Sequence, residues 1–284
     1  MSEAASNTLK RILTKSFSLI IFILLAAVNL IPFIWGFITS VKSGREIFAY
    51  PPKLFGFEWS AEHYIRVFQE SFARSMWITL FYAVTSIIAG LLIGLMLAYA
   101  IKRYDFVGKK LLFYMVICGI PLSIGSAALV IPNYVFFSKL GFINQPYTLV
   151  VLYAAYSMPM AVWIMIGGIE GIPIGIEEAM TIDGAHRAYI IFNMTPRLCL
   201  PSMASAALFN FIHVWNDYIL SSVMVNSNAL KPIQVSIYNY MGFFGREWGP
   251  LAASATAAVI PILIVFTFLG KMLISGLTAG AVKS

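Results

Sequence analysis

Six apolar stretches dominate the sequence, at approximately 17–39, 76–101, 111–137, 147–169, 201–225 and 250–274. Each is found with a window of about 19 residues, and each is long enough to cross a hydrocarbon layer about 30 Å thick as a helix. The helical form follows from the solvent. Lipid-facing backbone must satisfy its own N–H and C=O groups, and these runs lack the two-residue alternation of barrel strands. An all-α membrane protein with six transmembrane helices is therefore expected, with membrane lipid as its first partner. Composition agrees, since 60% of the 284 residues are hydrophobic and only 11% are charged, against roughly 25% charged residues in a soluble domain.

The formal charge of +7 does not point to nucleic acid, because Lys and Arg fall in short clusters between apolar runs and are not interleaved with aromatics on a polar face. Those clusters instead set orientation. Lys10, Arg11 and Lys15 precede the first stretch, and Lys102, Arg103, Lys109 and Lys110 crowd the second loop, which places both segments in the cytoplasm. The loops around Gly141 and at 226–249 carry few basic residues and face outward. By alternation both termini and the loop 170–200 are cytoplasmic, residues 1–16 form a cytoplasmic tail, and the loop 40–75 lies outside. The first apolar run is too long for a secretory leader and reads as an uncleaved signal anchor. In the second stretch Ser86, Gly90, Gly94 and Ala98 recur every fourth residue, and a small run, 251–258, opens the sixth. Both suit close helix packing. Cys118 and Cys199 have no metal-ligand or CxxC spacing and read as packing residues.

Catalysis would need a nucleophile with a base, paired carboxylates or metal ligands at membrane depth. Asp217 is the one acidic residue deep in a stretch, with His213 on the same helical face four residues earlier. That leaves an ion-coupled secondary transporter or channel as an alternative function, and no enzyme. No glycine-rich phosphate loop of the Walker type occurs, so ATP and Mg, if used, belong to another chain and this one binds no cofactor or metal. Polar residues inside spans are candidates for a substrate pathway: Asn133 in the third stretch, and Asn210, Trp215, Asn216 and Asp217 in the fifth. The same residue types also fasten helices together.

The loop 170–200 is long and not enriched in Gly or Ser, so it should hold structure of its own. Pro173 suits a first helical turn, Ile176, Ala179 and Met180 share a face apart from Glu177, Glu178 and Asp183, and Gly184 is placed to end the helix in a left-handed conformation. A second helical stretch, 185–194, should stop near Pro196. Such a hairpin lies on the membrane surface or docks a soluble partner.

This segment resembles the EAA motif of binding-protein-dependent ABC importer permeases, in which Glu-Ala-Ala is followed by three residues, Gly, nine residues and Ile-x-Leu-Pro. Glu178, Ala179, Asp183, Gly184 and Ala185 fall on the pattern, and Met180, Met194, Pro196 and Arg197 depart from it. Segments 131–165, 209–225 and 276–284 also look like the carbohydrate-uptake branch related to maltose-type permeases. The resemblance implies a type I ABC importer permease fold, with 17–284 as the transmembrane permease domain, in a bacterial cytoplasmic (inner) membrane. It also implies a second permease subunit as a different chain, two cytoplasmic ATPase subunits, an extracytoplasmic solute-binding protein and a sugar substrate. The loop would supply the coupling helix, with Glu177, Glu178, Ala179, Asp183, Gly184 and Ala185 at the ATPase.

Overall fold

The computed structural model describes residues 2–124, 127–242 and 245–281, with side chains at 15–121, 128–242 and 245–272. It is mostly helical, and its contacts divide into two groups of residues.

The first group comprises residues 1–70 and 240–257. Its helix α1 (Ser2–Ser40) is followed by a short turn of helix, α2 (Gly44–Ile47), and by α3 (Glu62–Gln69). None of the apolar window within residues 15–40 of α1 is buried in this chain, so that surface is left for lipid or another subunit. A two-residue hairpin, β1 (Met241–Gly242) with β2 (Gly245–Arg246), leads into the last helix. Here Arg66 bridges Glu70 at 2.8 Å and also Glu247, while the Tyr240 hydroxyl donates to Glu70 at 2.9 Å.

The second group comprises residues 71–239 and 258–284. It holds α4 (Phe72–Arg103), α5 (Lys109–Ile124), α6 (Ala127–Lys139), α7 (Pro146–Glu170), α8 (Ile174–Ile182), α9 (Arg187–Tyr189), a π-helical turn (Ile190–Met194), α10 (Thr195–Leu198), α11 (Leu200–Asn216), α12 (Ile219–Met224) and α13 (Ile233–Tyr238). The final helix α14 (Trp248–Ala281) runs through both groups. Helices α4, α7 and α11 form the packed centre. The small stripe on α4 is what permits this: Ser86, Gly90, Gly94 and Ala98 are all buried, and a Cβ at Gly94 would already touch Ala161 at 3.4 Å. The small run 251–258 buries Ala253, Ser254, Ala257 and Ala258.

Two of the six expected spans differ from uninterrupted helices. The third, 111–137, is split between α5 and α6, each carrying an internal proline, Pro121 and Pro132, that withholds an amide from its helix. The fifth, 201–225, breaks between α11 and α12 at Asp217 and Tyr218. Hydropathy averaged over a window registers composition and is blind to a break of two residues. Among the described residues four helices qualify as spans by themselves, and a fifth does if the bent pair 187–198 and 200–216 is taken as one. Cys199 is buried at that bend, whereas Cys118 is exposed on this chain.

Candidate functional site: the docking segment and the polar core of the spans

The docking segment begins at Pro173, which is the N-cap of α8 and so stands just before the first helical turn in which it was expected. At its end the amide of Gly184 donates to the Thr181 carbonyl at 3.1 Å and that of Ala185 to the Met180 carbonyl at 2.9 Å, with Gly184 at φ +84°. This is a Schellman closure, and it requires the left-handed residue that glycine supplies without a side-chain penalty. Met180 and Ala185 pack together against the core.

Helix α8 turns the rest of its surface outward. Glu178, Ala179 and Asp183 are exposed, as are Ile174, Ile176 and Ile182, the last at 86%. Glu177 is the exception. It is only 8% exposed, and both carboxylate oxygens are taken: Oε1 accepts from Arg103 Nε at 2.6 Å and Oε2 from the Tyr99 hydroxyl at 2.7 Å. Arg103 also donates through Nη2 to the carbonyls of Ile169 and Ile172, at 3.2 and 2.8 Å. These carbonyls lie at and just beyond the last turn of α7, where helical carbonyls lack partners and a cation is favoured. A concavity of about 500 Å³ opens beside this pair, with Glu178, Ile182 and Arg187 on its wall.

Beyond Gly184 the chain departs from expectation, since it stays helical from Arg187 to Leu198, through Pro196. An α-helix would need the amide that Pro196 lacks. The π turn changes the register: the backbone N–H of Thr195 reaches the Ile190 carbonyl, joined there by Thr195 Oγ1 at 2.9 Å, and Pro196 falls in the first turn of α10, where no amide is required. The bend of 81° follows. It is pressed onto α7 at Gly168, where a Cβ would stand 2.4 Å from Ser202 Oγ.

The polar residues singled out inside the spans separate into two sets. Asp217 caps α12, accepting from the amides of Leu220 and Ser221 at 3.2 and 2.9 Å, and takes the Tyr153 hydroxyl at 2.8 Å. Trp215 is fully buried, stacks on Phe211 and donates Nε1 to the Ala258 carbonyl at 3.2 Å. Asn216 is exposed and bonds back to the Ile212 carbonyl of its own helix. Asn210, by contrast, is buried beside Ser86 and lines a cavity of about 200 Å³ with Tyr156 and His213. Asn133 donates to the Tyr156 hydroxyl on that wall. His213 stands edge-on to Tyr153, the residue that donates to Asp217. Among the described residues no cluster of three metal-ligating side chains occurs.

Sequence reasoning did not find Arg103, Tyr99, Tyr153 or Tyr156. Arg103 counts there only as one of four basic residues marking a cytoplasmic loop, although the loops that share an expected side do meet. Arg187 stacks on Tyr104 and donates to its hydroxyl at 3.2 Å, and Asn144 Oδ1 accepts from the amides of Asn226 and Ser227.

Known proteins are similar to this chain in sequence and in fold. The trehalose/maltose transport system permease protein MalG of Thermococcus litoralis is 29% identical over 92% of this chain and 94% of its own. The maltodextrin transport system permease protein MdxG of Bacillus subtilis is 30% identical over 81% of this chain and 82% of its own. In fold, the chain is similar to a subunit of a bacterial ABC transporter that imports the acidic polysaccharide alginate, with a TM-score of 0.77, 21% identity and coverage of 90% of this chain and 96% of that one. Residues 4–278 match the family described as binding-protein-dependent transport system inner membrane component, and the chain belongs to that family.

Proposed function

We propose that this chain is one permease subunit of an ATP-driven, binding-protein-dependent importer for a sugar or oligosaccharide. The observation that carries the reading is the match to the family along residues 4–278, together with relatives named for trehalose, maltose and maltodextrin over most of the chain. Six spans, counting α5 with α6 and α11 with α12, give both termini and the docking segment a cytoplasmic position in a bacterial inner membrane. A second, different permease completes the pathway, two ATPases carry ATP and Mg, and a solute-binding protein delivers substrate outside. The exposed face of α8, with Glu178, Ala179, Asp183 and the isoleucines, meets the ATPase, and Gly184 fixes the bend beyond it. Ala185 and Glu177 serve that face from behind.

For the pathway the geometry favours Asn210, which lines a cavity, Asn133, which donates to Tyr156 on that cavity's wall, and Asn216, exposed on this chain. Trp215 and Asp217 hold helices in place, because their polar atoms already serve backbone groups or a neighbouring helix. The ion-coupled alternative is not favoured: its motivating pair loses force once Asp217 is a helix cap.

The test is purification of the tagged chain in mild detergent with identification of retained proteins, paired with sugar uptake in vesicles. Recovery of an ATPase, a second permease and a binding protein, with the ATPase lost in Glu178→Arg and uptake that needs ATP, is the expected result. Uptake that follows an ion gradient without any ATPase would overturn the reading.

A further inference from the structure

We propose that Glu177, Arg103 and Tyr99 form the joint through which movement of the docking helix reaches the membrane helices. The proposal rests on the importer reading above and assigns these three residues a positioning role. One guanidinium ties three elements together: it belongs to the end of α4, holds the carboxylate of α8, and closes the carbonyls of Ile169 and Ile172 at the end of α7. Tyr99, one turn earlier on α4, occupies the second carboxylate oxygen. The ion pair is mostly covered, with side chains 11% and 10% exposed, so it is screened by salt and replaced by hydration much less than a surface pair. The other links at this end are weaker. Lys102 reaches Glu170 at 2.9 Å and Arg187 lies on Tyr104, but Glu170 is 66% exposed, and such surface contacts hold little.

The C-terminal tether of α8 is uncharged. Past its C-terminus the chain turns at Gly184, where a Cβ would meet nothing within 4 Å. A helix pushed from its exposed face is thus tied to α4 and α7 by charge at Glu177 and only by the apolar packing of Met180 and Ala185 at its other end, so the push is delivered to α4 and α7. These two helices share the most extensive packing among the described residues; α7 lines the cavity at Asn210 with α11, and Ser86 of α4 donates to Asn210 at 3.4 Å. Neighbouring carboxylates on α8 therefore divide the work, with Glu178 outward toward a partner and Glu177 inward on the joint. The family resemblance puts both at the ATPase; the geometry turns the second inward.

The test uses the full complex in liposomes with its binding protein, measuring uptake and ATP hydrolysis together in wild type, Glu177→Gln and the double variant Glu177→Leu with Arg103→Met. The single variant removes the charge and keeps hydrogen-bonding atoms in place. The double variant leaves no unpaired buried charge, so it retains assembly even if the single variant does not. Sugar imported per ATP should fall about tenfold in both, the size of an ordinary coupling between sites. A merely structural pair would lower uptake and hydrolysis in proportion to the complex recovered, leaving the ratio at the wild-type value, and that result would overturn the proposal. A wild-type complex whose uptake does not depend on ATP would instead overturn the importer reading, and the joint with it.

Discussion

Two carboxylates in this chain are held by the same pair of partners in different solvents. Glu177 accepts from Arg103 Nε at 2.6 Å and the Tyr99 hydroxyl at 2.7 Å; Glu70, in the extramembrane loop of the first group, accepts from Arg66 Nε at 2.8 Å and the Tyr240 hydroxyl at 2.9 Å. The side chains of the first ion pair are 11% and 10% exposed, and those of the second 49% and 44%. Hydrogen-bond geometry is thus nearly constant while access to water changes several-fold. What differs is the alternative to each contact. A broken Arg66–Glu70 pair is rehydrated at once, whereas a broken Arg103–Glu177 pair leaves a charge that is mostly covered by protein.

The largest expected effect comes from removing one cation at a time. Arg103→Ala should destabilise the purified protein by about 3–5 kcal/mol, because Glu177 is left buried and unpaired. Arg66→Ala should cost no more than about 1 kcal/mol, since its carboxylates return to water. Thermal midpoints of the two variants in one detergent make the comparison. Equal shifts would show that burial does not separate the two sites.

Gly184→Val should come next, at roughly 1–2 kcal/mol, because a β-branched side chain resists the φ of +84° that the Schellman closure requires. Its readout sharpens the contrast within α8. Transport-coupled ATP hydrolysis should be lost while membrane insertion persists, since the closure sits at the solvent-facing end of the segment and not between spans. Normal coupled turnover in this variant would remove Gly184 from the mechanism. Asp217 extends the comparison to a carboxylate held by two amides and the Tyr153 hydroxyl. Asp217→Ala should cost about 1–2 kcal/mol, the range for a helix cap, and Asp217→Asn less than half of that, because the amide oxygen keeps one cap bond. If both changes leave stability intact and alter substrate selectivity, Asp217 belongs to the pathway.

These sites differ in how far the sequence exposes them, and the reason is range. Gly184 is legible because its conformation is decided within a few residues by the absence of a side chain. The stripe Ser86, Gly90, Gly94, Ala98 is legible because helical periodicity puts it on one face wherever the helix lies. The Arg103–Glu177 pair spans 74 residues of sequence, and nothing local distinguishes Glu177 from Glu178; one is buried and the other exposed because of the turn of α8 against α4 and α7. The break at Asp217 lies between these cases. A lone acid inside an apolar run signals that something interrupts it, but whether it caps a helix, pairs a proton or meets a substrate depends on Tyr153, 64 residues away. The π turn before Pro196 had no local signal, since it is a change of hydrogen-bond register that the same residues would not need if the helix ended there.

The smallest effect concerns pH and salt at Glu70. Arg66, first by its hydrogen bond and then by its charge, holds the Glu70 carboxyl below the usual carboxylate range, aided by the Tyr240 hydroxyl and opposed by partial burial. A carboxyl depressed in the folded state contributes stability that is complete above its unfolded pKa, near 4.3, and is lost as pH falls through the lower folded value. Because the pair is close to half exposed, the contribution is discounted to about half a kcal/mol. Wild type and Glu70→Gln should therefore differ slightly in thermal midpoint at pH 7 and converge on acidification below pH 4. Raising salt to roughly 1 M, where the screening length is about 3 Å, should shrink the pH 7 difference and leave the penalty of Arg103→Ala almost unchanged. A salt dependence shared by both sites would mean that water reaches Glu177 as it reaches Glu70, and the contrast between the two carboxylates would then rest on their connections alone.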